Sequence, residues 1–495
     1  MIIKHSVSRL GIALVIFLTG GVVFAQHDAG GGTTRDAATG GESSRSNTSV
    51  KRTTVRKPTT VRKPTVVRRG TTAEQYNAQG DEFFKAEQYD DALEAYTKAV
   101  QLKPIAGAFY HIGWIHNDRE NFDEAVTALS QSVRLNPRDA EVFKELGYSY
   151  RNLKRYPEAL DAYRRAIVLS PSYATPYYEI GWIYNDQGQY AQAVEPLRQA
   201  AQYKAGYADA YEELGYAYYK LNRSQEAIVA YQEAVRIKPD YGLALLGLGD
   251  SYYYLTKQYQ QALDAYRRGV QYKDDNATAF YNLAWCANEL NQSSTAATAA
   301  KRAIALQANY PEAYAELGFA DRKLNLPNDA VAAYREAIRL KPGYGVAYTG
   351  LGDVYFVDLK QYAQSVAPYE RSVGISPNNA RVRYNLGWCY NDQGRFGDAV
   401  TQLSEAVRLK PEYVEAHSEL SFAYYKLRRP QEALGSLQTA VRLNPEYATA
   451  HYYAGLVFID QRNKTAVQQQ YRILQRLDPA QAQKLYDAAP PNMRN

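Results

Sequence analysis

An all-α solenoid of short helical repeats is the fold this sequence predicts, and three observations predict it. From Ala73 onward, similar segments recur about every 34 residues. Each segment carries two runs with apolar and small residues at i, i+3, i+4 and i+7, the spacing of one helical face, separated by a polar turn such as "KLNRSQ". Most segments close on a proline that cannot continue a helix: Pro104, Pro137, Pro171, Pro239, Pro342, Pro377, Pro411 and Pro445. A unit of this size cannot bury its apolar face alone, so the core has to come from stacking on neighbours.

Taken in order, residues 1–25 read as an export signal. Lys4 and Arg9 precede the apolar "LGIALVIFL" (Leu10 to Leu18), and "VFA" places small residues at Val23 and Ala25, with Gln26 the expected first mature residue. The apolar run is short for a membrane span, which favours cleavage over anchoring. Residues 26–72 read as a disordered basic linker containing "TTVRKPTTVRKPTVVRRG" (Thr53 to Gly70), with ten basic and three acidic residues. Either it is a solvated tether or it attaches to an anionic envelope surface. Residues 73–495 hold 46 basic and 49 acidic side chains, so the overall net charge of +6 comes from the N-terminal region. A basic, nucleic-acid-binding body is not indicated, and no nucleic acid is expected as a partner.

Each repeat has a small-residue slot: Gly80, Gly113, Gly147, Gly181, Gly215, Gly249, Ala284, Gly318, Gly352, Gly387, Ser421 and Gly455. Twelve repeats therefore fill residues 73–479, and residues 480–495, with the helix-forming "AQAQKLYDAA" (Ala480 to Ala489), cap the last one. A longer period lies above the first. "YEELGYAYYKLNR" (Tyr211), "YAELGFADRKLNL" (Tyr314) and "HSELSFAYYKLRR" (His417) start 103 residues apart, as do Trp182, Trp285 and Trp388. A three-repeat cassette thus runs in tandem over residues 172–274, 275–377 and 378–480. Trp114 lies two repeats, not three, before Trp182.

The aromatic, "LG", Tyr, Ala, Tyr, Ala and Pro of "FKELGYSYRNLKRYPEALDAYRRAIVLSP" (Phe143 to Pro171) resemble the tetratricopeptide repeat. The resemblance covers some four fifths of the chain. It implies a right-handed superhelix of about 12 helix–turn–helix repeats whose first helices line a concave groove with positions 2, 5, 9, 12 and 13. With the small slot at position 8, "Y-x-x-x-W-x-x-N" places three residues of four repeats in that groove: Tyr110, Trp114 and Asn117; Tyr178, Trp182 and Asn185; Tyr281, Trp285 and Asn288; Tyr384, Trp388 and Asn391. In one reading the amides and aromatic faces hold an extended ligand. In the other, each Trp packs on an adjacent first helix and each Asn bonds a neighbouring helix, and tandem duplication has copied the pattern. Glu141, Asp209, Glu312 and Glu415 at position 2, with Lys220, Lys323 and Lys426 at position 13, read as a solvated face of mixed sign. The Lys–Asn pair with which family members clamp a C-terminal dicarboxylate is missing, since Lys144 is followed by Tyr148.

Catalytic and metal-binding patterns do not emerge. His111 and His116 are five apart, not the four that would place both on one helical face. His417 and His451 fill the aromatic slot at position 4, where stacking in the core is expected. The glycines of "GLALLGLGD" (Gly242 to Asp250) are repeat slots, not a phosphate loop. Cys286 and Cys389 occupy equivalent positions three repeats apart, too distant for a disulfide, and read as small buried apolar residues. The expected function is a non-catalytic, exported scaffold, periplasmic or secreted, binding protein or peptide segments in the groove without cofactor or metal. The alternative is a cell-wall glycan-binding module using the Tyr/Trp stripes and the basic segment.

Overall fold

The computed structural model describes residues 72–494; residues 1–25, expected to be an export signal, and nearly all of the basic segment lie outside them. The described residues form 26 α-helices and two π-helical segments, with no strand among them. The chain divides into two compact units, one ending at Asn282 and the other starting at Leu283. In each unit consecutive helices pair, and each pair packs on the next, as an all-α solenoid requires.

Repeat 2 shows how the sequence builds a pair. Its first helix, Ala106–Asp118, and second, Phe122–Leu135, are joined by a left-handed residue, Glu120, at φ 61°. The Asn121 N–H reaches the His116 carbonyl at 2.9 Å and the Glu120 N–H reaches that of Asn117 at 3.1 Å, a Schellman closure. Two of the corresponding turns use a glycine, Gly188 and Gly394; most use Asn, Lys, Arg or Glu. The small slot is needed for close approach between the helices: a Cβ on Gly113 would lie 2.4 Å from Leu129 Cγ, and one on Gly147 would lie 2.6 Å from the Tyr163 ring. Buried alanines and fully buried residues such as Tyr96, Leu129, Tyr163, Leu197, Tyr369 and Leu403 form the core.

Position 4 has a role the sequence reading missed. Tyr177 OH, Arg383 Nε, His417 Nε2 and His451 Nε2 each lie 2.6–3.1 Å from the carbonyl of the closing proline six residues back. His417 and His451, expected to stack in the core, are instead pinned by hydrogen bonds to the preceding turn.

The 103-residue period also has a structural cause. In repeats 6 and 9 the first helix is α-helical over Gly242–Asp250 and Gly345–Asp353, then widens into π-helix over Ser251–Thr256 and Val354–Asp358. The left-handed residues Lys257 and Lys360 fall eight residues after the small slot, not seven. One inserted residue is therefore absorbed inside a helix, and the register is recovered by the turn.

At the C-terminus the cap is Pro479–Ala488, one residue earlier than expected. Asp478 accepts the N–H groups of Ala480 and Gln481 at 3.0 and 3.1 Å, so Pro479 opens this helix instead of ending the repeat. Leu485 covers Gly455, packing with Leu474, Tyr452 and Leu456.

Candidate binding face of the tryptophan repeats

The four asparagines do not present their amides to a groove. Asn117, Asn185, Asn288 and Asn391 are all buried, and the Nδ2 of each donates twice to one glutamate 28 residues on, in the next repeat. It reaches the main-chain carbonyls of Glu145, Glu213, Glu316 and Glu419 at 3.0–3.1 Å and their Oε2 atoms at 2.7–3.0 Å. Both amide protons are consumed, so the asparagines of the motif are clips between repeats. The expectation that they would serve a ligand is corrected on that ground.

The amide oxygens differ among the copies. Asn117 Oδ1 accepts from Ser149 Oγ at 2.7 Å, whereas Ala217, Ala320 and Ala423 stand at the equivalent place in the later copies. There the Oδ1 of Asn185, Asn288 and Asn391 is buried without a protein partner. Ala423→Ser is therefore expected to stabilise the second unit by about 1 kcal/mol, the net value of one hydrogen bond, read as a higher Tm. An unchanged or lower Tm would show that the oxygen is not starved of a donor. The clipped glutamates are held in low-dielectric surroundings; burial pushes Glu316 up to about 7, opposed by the Asn288 hydrogen bond.

Each tryptophan is half-buried, and Trp114, Trp182 and Trp388 lean backwards. The Trp114 ring lies 4.9 Å from Phe84 and 5.5 Å from Tyr89 of the preceding repeat. Trp388 sits in the same way, 5.2 Å from Phe356 and 4.7 Å from Tyr362. Trp182 instead covers the Arg151 guanidinium at 4.7 Å. The tyrosines lean forwards: Tyr178 lies 5.2 Å from Tyr207 and Tyr384 lies 4.9 Å from Tyr413, rings that open the next first helix. Tyr110, Tyr281 and Trp285 are half-buried as well. Trp114, Tyr178, Trp182, Tyr384 and Trp388 are thus fixed by packing on one side while retaining exposed surface, and the half-buried aromatic members of the motif are what remains of the candidate site.

The other two repeats of the cassette complete this face. In repeats 5, 8 and 11 the position 13 lysine stands over the position 9 ring: Lys220 over Tyr216 at 5.4 Å, Lys323 over Phe319 at 5.5 Å and Lys426 over Phe422 at 5.2 Å. The position 2 acids bond locally: Asp209 accepts from Tyr241 OH at 2.9 Å, Glu312 pairs with Lys341 at 2.7 Å and Glu141 with Lys144 at 3.2 Å. In repeats 1, 6 and 9 position 9 is an aspartate, and Asp81, Asp250 and Asp353 each accept a hydrogen bond from a tyrosine of the second helix, at 2.6–2.8 Å. Sequence reading passed over these aspartates although "LGD" recurs at Leu248 and Leu351. No group of three or more potential metal ligands occurs among the described residues. None of their helices is long and apolar enough to cross a membrane.

Comparison with known proteins agrees with this architecture. Family profiles described as tetratricopeptide repeat match residues 77–125, 110–174, 246–313, 316–380 and 420–482, and related ones match 174–207, 215–255 and 389–427. Similar solved structures include YrrB, described as a TPR protein with an unusual peptide-binding site (21% identity, TM-score 0.35, 38% of this chain and 96% of that one). Others are MamA (27%, 0.33, 34% and 94%) and part of a TPR protein from Cytophaga hutchinsonii (17%, 0.42, 48% and 98%). No curated protein matches. With profile matches over more than half of its length, the chain belongs to the tetratricopeptide repeat family, an all-α scaffold for protein–protein interaction.

Proposed function

We propose that the protein is exported and works outside the cytoplasm as a non-catalytic scaffold, holding extended segments of partner proteins against its first helices in an envelope or secretion complex. The observation that carries this reading is the aromatic pair of each tryptophan repeat. In repeat 10, Trp388 is fixed against Phe356 and Tyr362, and Tyr384 against Tyr413. Partly exposed rings that are already ordered offer contact area with little further entropy to lose on binding. Glycan binding loses its hydrogen-bonding half, because the four asparagine amides are engaged between repeats. Export is supported by the basic, apolar and small-residue order of residues 1–25.

The test is capture from an envelope fraction by the full chain and by a variant with Trp114, Trp182, Trp285 and Trp388 changed to Ala, helicity being checked for both. Proteins are expected on the first and lost from the second, and the mature chain is expected to begin at Gln26. Equal capture by both would remove the aromatic face from the reading. Retention of wall glycan alone would favour the alternative, and a cytoplasmic chain that keeps residues 1–25 would overturn export.

A further inference from the structure

We propose that Asp250 is a subsite for a cationic side chain, guanidinium or ammonium, of a polypeptide lying along the first helices of the unit that ends at Asn282. The proposal rests on the segment-binding reading above and adds what the segment must carry.

The argument comes from two copies of one site in the same molecule. In repeat 9, Asp353 Oδ1 accepts from Tyr369 OH at 2.7 Å, and that hydroxyl accepts from Asn385 Nδ2 at 3.1 Å. Repeat 6 reproduces the frame: Asp250 Oδ1 accepts from Tyr266 OH at 2.6 Å, and that hydroxyl accepts from Asn282 Nδ2 at 3.1 Å. The two sites differ in their cations. Asp353 is met by Arg381 Nη1 at 2.8 Å, from position 2 of the following repeat, and by Arg322 Nη1 at 3.5 Å, from position 12 of the preceding one. At the corresponding places around Asp250 stand Thr278 and Tyr219. Apart from Tyr266, only Asn282 Nδ2 bonds the carboxylate, at 3.4 Å and again through Oδ1. No ion pair reaches Asp250 among the described residues, and its second oxygen has no hydrogen bond there.

One cassette thus fills its anionic site from within, and the other leaves the same site open. The electrostatics follow the difference. Around Asp353 the two arginines outweigh burial and hold the carboxyl below its ordinary range, whereas burial pushes Asp250 up to about 6 against the Tyr266 and Asn282 hydrogen bonds and the charge of Lys220. Asp250 is half-buried, so its free oxygen is within reach of a ligand. Beside it Tyr254, 41% exposed, donates to Asn282 Oδ1 at 3.3 Å and offers a ring for a cation to lie against. Lys220, the nearby cation of the preceding repeat, stands over Tyr216 at 5.4 Å and makes no ion pair with Asp250. A single carboxylate among phenols and amides is poor in the oxygen ligands a divalent metal needs, but it suits one guanidinium or ammonium.

The test uses the full chain and a panel of fluorescein-labelled twelve-residue peptides that differ only in carrying Arg, Lys, Gln or Glu at one central position, with anisotropy as the readout. Arg and Lys peptides are expected to bind roughly ten-fold more tightly than their Gln counterpart, the scale of one hydrogen bond to a charged group. Asp250→Asn, which keeps an acceptor for Tyr266, is expected to abolish that difference. The combined Arg322→Tyr, Val357→Tyr, Asp358→Leu and Arg381→Thr change, which puts the residues found around Asp250 at the corresponding places around Asp353 and removes the carboxylate that Arg322 also pairs with, is expected to add a second Arg-selective site. It decides the matter even where Asp250→Asn proves unstable. Equal binding of Arg and Gln peptides, or a preference that survives Asp250→Asn, overturns the subsite while segment binding stands. Failure of every peptide to bind brings down both.

Discussion

Replacing Asn391 by aspartate is expected to cost the second unit about 3–5 kcal/mol at pH 7, because it sets a second buried carboxylate against Glu419. The wild-type amide donates to Glu419 Oε2 at 2.9 Å and to its main-chain carbonyl at 3.0 Å, while Tyr453 OH supplies a third donor at 3.1 Å to Oε1. Asn391 and Glu419 are 3% and 5% exposed, so water cannot take over from the lost donor. Repulsion raises the folded-state proton affinity of one of the two carboxyls above its unfolded value. The variant's deficit is therefore full above that raised value and shrinks as pH falls through it, since one proton then restores a donor between the groups. In a repeat protein the loss falls on one interface, so the denaturant melt is expected to split into two steps at pH 7 and to close up near pH 5. Melts of variant and wild type that superimpose at both pH values would show that the clip contributes nothing.

The same asparagines mark where sequence reading reached its limit. The fold was legible because each repeat states it redundantly: a small slot that admits the neighbouring helix, two amphipathic runs and a closing proline. Even the 103-residue cassette could be read, although the π-helical segments that absorb its extra residue could not, since nothing local to "SYYYLT" distinguishes a π turn from an α turn. The candidate site was harder for a related reason. Positions 5, 9 and 12 share a helical face, and periodicity alone does not distinguish a face open to ligand from one covered by the next repeat. Glu145, Glu213, Glu316 and Glu419 were the overlooked signal. A glutamate 28 residues after every motif asparagine, in all four copies, is what a clip requires and what a ligand site does not.

Breaking the pair between Arg151 and Glu179 is the other change expected to have a large effect, and it bears on the one irregular spacing in the chain. Elsewhere an aspartate repeat precedes the tryptophan repeat, with Phe84 or Phe356 beneath the indole and His111, Asn282 or Asn385 at position 6. Repeat 3 is not of that kind, yet repeat 4 follows it directly, so Trp114 and Trp182 are only two repeats apart. At this junction Arg151 takes the place of the phenylalanine and Glu179 that of the asparagine. The Arg151 Nη1 lies 2.6 Å from Glu179 Oε2, and the guanidinium is held between Tyr148 at 5.1 Å and Trp182 at 4.7 Å. Burial raises the proton affinity of Glu179, and Arg151 opposes the rise. Arg151→Ala leaves that carboxylate buried and uncompensated and is expected to cost about 3–5 kcal/mol. The penalty diminishes as pH falls, because protonation removes the stranded charge. Arg151→Phe combined with Glu179→Asn rebuilds the ordinary junction, and the new amide would face Tyr163 OH, a buried hydroxyl with no hydrogen-bond partner, as Asn385 faces Tyr369. The double variant is expected to melt within about 1 kcal/mol of wild type, so that a double-mutant cycle gives a coupling of about 2 kcal/mol or more. Additive single-site losses would mean that Arg151 and Glu179 stabilise the junction independently, and that the pair does not stand in for the contacts of an absent repeat.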